Sequence, residues 1–394
     1  MYTFLKSTLL ILALLAGHFL TVTAQGVNQQ QRPRRVNGNA SKAPSQSALP
    51  AKTEEVADGD VVRVDTQLVS VPAVVTTVAG RPVAGLKTEN FKLFENGQLQ
   101  RIADFATTEA PFEIALLLDT SGSTRNDIQL IRDAARSFID ALRPGDRVAI
   151  VGFGNRRQGP SVDVHSRLTD DRELLRIAID NLGSTSGTPF YDGLERIADE
   201  VFAAPAREEV MGRRALVALT DGVDSTGRAE FETARAKLLR TGVATYFIQV
   251  NTEEFVENAL LRPCGDGVVL STKQLRRHRR MFQPRMRMED ITDFCEMGSF
   301  ERMQVSRDLY NLARREMNEL AKASGGRNFI AATLGDAREA FRKVAAEIGT
   351  QYSLGYYPTN KARDGKFRTI KVEVQGVQDK AQVRAREGYY APKG

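Results

Sequence analysis

The chain has 394 residues, 42% of them hydrophobic and 26% charged, with a formal net charge of +6. Such a length holds two domains or one large domain with attachments, and the composition is that of an ordinary globular protein. The small positive excess gives nucleic acid little support as a partner.

Lys6 precedes the apolar run "STLLILALLAGHFLTVTAQG", which ends in the small-residue triplet Val22-Thr23-Ala24. This pattern predicts a secretory signal peptide over residues 1–24, cleaved after Ala24. The run falls short of the roughly 20 apolar residues that a membrane span needs, and His18 interrupts it. No second stretch could cross a membrane. The expectation is a mature chain without a transmembrane segment, secreted or associated with the periplasm or cell envelope.

Residues 25–58 are rich in Gln, Asn, Arg, Pro, Ser and Ala and read as a disordered linker. From residue 59 to residue 110 the pattern has period two, as in "VVRVDTQLVSVPAVV". Asn96-Gly97 lies between two strand-like runs, a strong hairpin signal.

Residues 111–350 alternate strands with amphipathic helices. The expected strands are Ile114–Leu118, Val148–Phe153, Ser161–Arg167, Ala215–Thr220, Ala244–Val250 and Asn328–Ala331. The expected helices cover about 127–142, 170–182, 191–204, 229–240, 303–323 and 336–348. Thr169 is the expected N-cap of the second. This order predicts an α/β fold with a doubly wound, mainly parallel sheet. Residues 351–394 return to strands, with Tyr352, Leu354 and Tyr356 on one face. A single flanking β-sandwich, built from N-terminal and C-terminal segments, is the economical reading.

Residues 251–302 form an insert that fits neither pattern. It holds Cys264 and Cys295, which in an oxidising compartment form one disulfide or stay separate thiols. Its basic run "KQLRRHRRMFQPRMR" reads as a solvated face. Beyond the signal peptide only His165 and His278 remain, too few for a histidine-based metal cluster or serine–histidine catalysis.

The chemistry gathers at strand ends. The run Ile114–Leu118 stops in Asp119, with Ser121 and Ser123 at alternate positions after it. This is either a capped turn into a helix or a set of oxygens held out for a ligand. "GSTSGTPFYDG" places Thr188 in a glycine-bounded loop before a helix, and "ALVALTDGVDS" ends a buried strand in Asp221. Doubly wound sheets bind ligands at the C-terminal ends of their strands. Three hydroxyls and two carboxylates offer only hard oxygen, which suits Mg²⁺, with Mn²⁺ or Ca²⁺ as alternatives. Hydroxyls neutralise little of the ion's charge, so the ion stays electrophilic toward a further oxygen.

In this order "DTSGS", Thr188 and "LTDG" resemble the metal-ion-dependent adhesion site of von Willebrand factor type A domains. The family motif is Asp-x-Ser-x-Ser, a distal Thr and a distal Asp, matched by Asp119, Ser121, Ser123, Thr188 and Asp221. The resemblance covers about 113–350; the flanking β segments resemble the secreted von Willebrand factor A-related proteins of acidobacteria. It implies that Ser121, Ser123 and Thr188 contact the cation through their hydroxyls and that Asp119 and Asp221 bind it directly or through water, with Asp192 and Asp224 behind them. It further implies a non-enzymatic protein that engages a carboxylate on a protein partner. Two alternatives stand beside it. A Mg²⁺-dependent phosphohydrolase would use Asp119 as nucleophile, but carries a second acid two positions later, where this chain has Ser121. A structural envelope protein would use the site only to rigidify its fold.

Overall fold

The computed structural model describes residues 68–121, 128–156, 159–210, 212–263, 270–285, 294–377 and 380–393. The expected signal peptide and linker, residues 59–67, Ser123 and Cys264 lie outside the described residues.

Four strands come first: β1 (Val69–Thr77), β2 (Phe91–Glu95), β3 (Gln98–Gln100) and β4 (Ile102–Ala106). The α/β section contributes β5 (Glu113–Leu118), β6 (Arg147–Arg156), β7 (Gly159–Thr169), β8 (Arg214–Thr220), β9 (Ala244–Val250) and β10 (Arg327–Ala331). Its helices are α1 (Ile128–Asp140), α2 (Arg172–Asp180), α3 (Phe190–Arg196), α4 (Phe231–Thr241), α5 (Glu253–Leu260), α6 (Thr272–Phe282), α7 (Ser299–Ser324) and α8 (Ala337–Gly349). The last strands are β11 (Gln351–Tyr356), β12 (Phe367–Val374), β13 (Ala381–Ala385) and β14 (Gly388–Tyr390).

The central sheet has the order β10–β9–β8–β5–β6–β7. All its pairings are parallel except β6 with the edge strand β7. Every residue of β5, β8 and β9 is buried, as near-continuous apolar strands covered on both faces must be. Alternation divides β5 between two cores. Ile114, Leu116 and Leu118 pack with Ile131 and Phe138 of α1, Ile179 of α2 and Phe341 of α8. Ala115 and Leu117 pack with Leu194 of α3, Leu238 of α4 and Leu320 of α7. The sheet is therefore wound on both faces.

Burying each of the Leu, Ile and Phe side chains among these stabilises the fold by about 1.5–3 kcal/mol, against about 1 kcal/mol for a good helix cap. The apolar stripes thus decide where helices lie, and caps only trim their ends. Helix α2 shows the trimming: its N-cap is Asp171, not Thr169. The Asp171 carboxylate accepts from the Glu173 and Leu174 amides at 3.0 and 3.1 Å, while the Thr169 hydroxyl accepts from the Asp171 amide. The helix expected over 191–204 is α-helical only to Arg196 and continues as a π-helical turn, Ile197–Val201.

The insert is more ordered than its composition announces. Helices α5 and α6 lie within it, and Val256, Leu260, Leu270 and Phe294 form a small core with Val305, Leu309 and Tyr310 of α7. Part of the basic run is not a solvated face: Arg277 and His278 are buried. Cys295 is disulfide-bonded.

Two antiparallel sheets flank the α/β section, β13–β1–β11–β4 and β14–β12–β2–β3. Each draws strands from both before and after that section. Val71, Ala73, Leu93, Tyr352, Leu354, Tyr356 and Ile370 fill one core between them, so they form a sandwich. Asn96 and Gly97, at φ 47° and 80°, turn the β2–β3 hairpin, a two-residue turn that needs positive φ at both positions. The sandwich grips the α/β section through Arg386, whose guanidinium donates to the Leu239, Ser70 and Gly388 carbonyls at 2.7, 3.1 and 3.0 Å. The Leu239 carbonyl lies in the last turn of α4, where a cation complements the helix dipole.

Candidate functional site

Strands β5 and β8 are neighbours in register, with Leu118 opposite Leu219. The Asp119 amide extends that ladder by donating to the Leu219 carbonyl at 3.0 Å. The register sets Asp119 beside Thr220, and Asp221 follows one residue later at the same C-terminal edge. Asp119 and Asp221 are both buried, at 2% and 6% exposure.

The Asp119 carboxylate accepts from the Thr220 hydroxyl at 2.7 Å and from the Ser121 amide at 3.0 Å. The Ser121 hydroxyl bonds to it as well. Asp221 is held on both oxygens: Oδ1 accepts from the Val223 amide at 2.9 Å and Oδ2 from the Thr252 hydroxyl at 2.6 Å. Burial pushes both carboxyls above the usual carboxylate range, and for Asp221 the charge of Asp119 adds to the rise. Two buried carboxylates that repel each other favour a cation or a proton between them.

Thr188 is brought in by two loop-to-loop ties. The Thr120 hydroxyl donates to the Gly183 carbonyl at 2.6 Å and the Thr185 amide to the Thr120 carbonyl at 3.0 Å, drawing the 183–189 loop to the Asp119 loop. Thr188 and Ser225 then bond reciprocally: the Thr188 amide donates to the Ser225 hydroxyl at 2.8 Å, and the Ser225 amide to the Thr188 carbonyl at 2.9 Å. Both bonds use the Thr188 backbone, and among the described residues its hydroxyl makes no hydrogen bond. The loops carrying Asp119, Ser121, Thr188 and Asp221 are thus tied to one another; Ser123 lies outside the described residues.

Asp192 and Asp224 hold the loop after β8. Asp192 accepts from the Arg228 and Ala229 amides at 2.8 and 2.6 Å. Asp224 accepts from the Tyr191 and Gly227 amides at 3.0 and 3.1 Å and from Lys273 Nζ of α6 at 2.8 Å. Burial raises the Asp224 carboxyl, and Lys273 opposes that rise. The Ser271 hydroxyl, which also caps α6, donates to the Ser225 carbonyl at 2.5 Å. The insert therefore docks on the same loop that holds Thr188.

Among the described residues no three His, Cys, Asp or Glu side chains gather to hold a metal. The donor set here is of another kind: two buried carboxylates with small hydroxyls. It fits a hard divalent cation that keeps open positions for oxygen from water or a partner. Asp119, Ser121, Thr188 and Asp221 are the described residues that would hold it. Thr220, Thr252 and Tyr310 went unread in the sequence. Thr220 and Thr252 stand at or just past the ends of β8 and β9, the edge where ligand-binding residues collect.

Residues 113–264 match the family model of the von Willebrand factor type A domain. The uncharacterized protein sll0103 of Synechocystis is 27% identical over 154 residues, 39% of this chain, which spans only 34% of that relative's length. Among solved structures, a von Willebrand factor type A protein from Catenulispora acidiphila has a TM-score of 0.39 at 13% identity, over 84% of this chain and 75% of that one. Proximal thread matrix protein 1 of the mussel byssus has a TM-score of 0.39 at 15% identity, over 60% of this chain and 48% of that one. The SpRpn10 type A domain has a TM-score of 0.28 at 20% identity, over 36% and 76%. No helix among the described residues is long and apolar enough to cross a membrane. The match over β5 to α5 and the doubly wound sheet identify the chain as one that carries a von Willebrand factor type A domain.

Proposed function

We propose that this chain is an exported, non-enzymatic binding protein whose divalent cation engages a carboxylate on a protein partner. Domains of this type often bind metal and mediate protein interactions. Mg²⁺ is the first choice, with Mn²⁺ or Ca²⁺ as alternatives, held by Asp119, Ser121, Ser123, Thr188 and Asp221. The observation that carries the reading is the pair of buried carboxylates, Asp119 and Asp221, at the ends of adjacent parallel strands and beside the tied Thr188 loop. Bound there, the cation supplies a Lewis-acidic point of attachment. The protein's own side chains would fix its position.

The phosphohydrolase reading is less well supported. General acid–base catalysis needs a titratable group beside the nucleophile, and the residue two positions after Asp119 is a serine bonded to that carboxylate. The test is binding of acidic peptides, rich in Asp and Glu, to the full chain in Mg²⁺ and again in chelator. The expected result is binding in Mg²⁺ that chelator removes. Binding that ignores the chelator would make the metal a structural element and overturn the proposal.

A further inference from the structure

The two oxygens of Asp221 are not equally held. Oδ1 accepts from a local amide, Val223. Oδ2 is met by a side chain from a distant part of the chain. Thr252, buried at the start of α5, places its hydroxyl 2.6 Å from Oδ2. Tyr310, buried on α7, places its phenol oxygen 2.7 Å from the same Thr252 hydroxyl. Thr252 has one proton, and it points to the carboxylate. The Tyr310 hydroxyl then donates to Thr252 or directly to the Asp221 carboxylate, which it also reaches, so both hydroxyls hold Asp221.

These donors start in the insert's own core. Tyr310 packs with Val256, Leu260, Leu270 and Phe294, and Val223, two residues after Asp221, packs against the same group. A shift of α5 or α7 would therefore move the Thr252 hydroxyl relative to Oδ2. A threonine hydroxyl bonded to a buried carboxylate fixes the plane of that carboxylate, hence the lone pairs left to face a cation. Outer-shell bonds of this kind set metal affinity in other sites, where their loss typically costs about 10- to 100-fold.

We infer that Thr252 and Tyr310 are positioning residues of the metal site, through which the insert and α7 orient Asp221. The inference rests on the metal reading above and names what tunes that same site.

The experiment titrates Mg²⁺ and Mn²⁺ calorimetrically into the full chain and into Thr252→Val, Thr252→Ser and Tyr310→Phe. Thr252→Val keeps the shape and removes the hydroxyl. It should weaken metal binding by about 10-fold or more. Thr252→Ser restores the donor and should recover affinity close to wild type, a rescue that a packing role alone does not give. A spectroscopic signal follows from the composition. The chain has nine tyrosines and no tryptophan, so tyrosine absorbance is not masked. Metal binding should perturb it, and Tyr310→Phe, which keeps the ring, should remove most of that perturbation. Unchanged affinity in Thr252→Val, with a wild type that binds metal, overturns the inference alone. A wild type that binds neither ion overturns the metal reading, and this inference with it. Should Thr252→Val misfold by circular dichroism, the Tyr310→Phe difference spectrum decides: a perturbation as large as wild type overturns the inference.

Discussion

At Thr188 the backbone and the side chain have separate tasks. Its amide and carbonyl tie the loop to Ser225, and its hydroxyl makes no hydrogen bond among the described residues. Thr188→Val should therefore leave the loop in place and lose one ligand. Metal affinity should fall by about 10-fold or more in a calorimetric titration, with an unchanged circular dichroism spectrum. Gly326 illustrates the opposite case. A Cβ there would enter the van der Waals shell of the Thr245 backbone, which a β-strand neighbour holds in place. Gly326→Ala should cost several kcal/mol, the scale of severe overpacking, read as a lower denaturant midpoint. The places of Asp119, Ser121 and Asp221 just past strand ends, and of Thr188 in a loop before a helix, were legible from apolar runs that stop in polar residues and from the glycines around Thr188. Thr252 and Tyr310 were not. They are an ordinary threonine and tyrosine in sequence, and only the folding of α5 and α7 onto the β8 loop gives them a role.

Among the elements, α6 departs most from its sequence reading. A run of arginines is normally solvated, yet the Arg277 guanidinium enters the interior, where it bonds to the Tyr191 hydroxyl of α3 and the Glu316 carboxylate of α7. The Tyr191 hydroxyl also donates to Glu316 at 2.6 Å. The signal was hidden because Tyr191 and Glu316 lie 86 and 39 residues away. Removing one partner of a buried pair leaves the other charge stranded, at a cost of about 3–5 kcal/mol. Arg277→Met should destabilise the chain by roughly that amount and raise amide exchange in α6 first. Amide exchange in α6 that stays at the wild-type rate would show that Arg277 does not hold this helix. The strands of the α/β section were legible to within three residues at either end; in β5 and β8 uninterrupted apolar runs bounded by polar residues leave little choice of position.

In the whole molecule, the sandwich belongs to both ends of the described chain. Strand β1 is flanked by β11 on one side and β13 on the other. Truncation after Thr350 removes both partners at once and leaves an apolar strand with two open edges. Such a chain should aggregate where the full-length chain does not; a monodisperse truncated protein in sedimentation velocity would argue that the α/β section carries its own stability. The β character of both flanks was readable from their period-two pattern. Which strands share a sheet was not, because the order β13–β1–β11–β4 joins residues more than 300 positions apart and depends on the α/β section bringing its two ends together.

On the proposed function, the paired strand ends hold a cation. The direct test is calorimetric titration of the chain from Gln25 onward with Mg²⁺, Mn²⁺ and Ca²⁺, beside Asp119→Ala. Binding in the wild-type chain and none in Asp119→Ala, both folded by circular dichroism, is the expected result. Equal binding in both chains, or none in either, would contradict a metal site at Asp119.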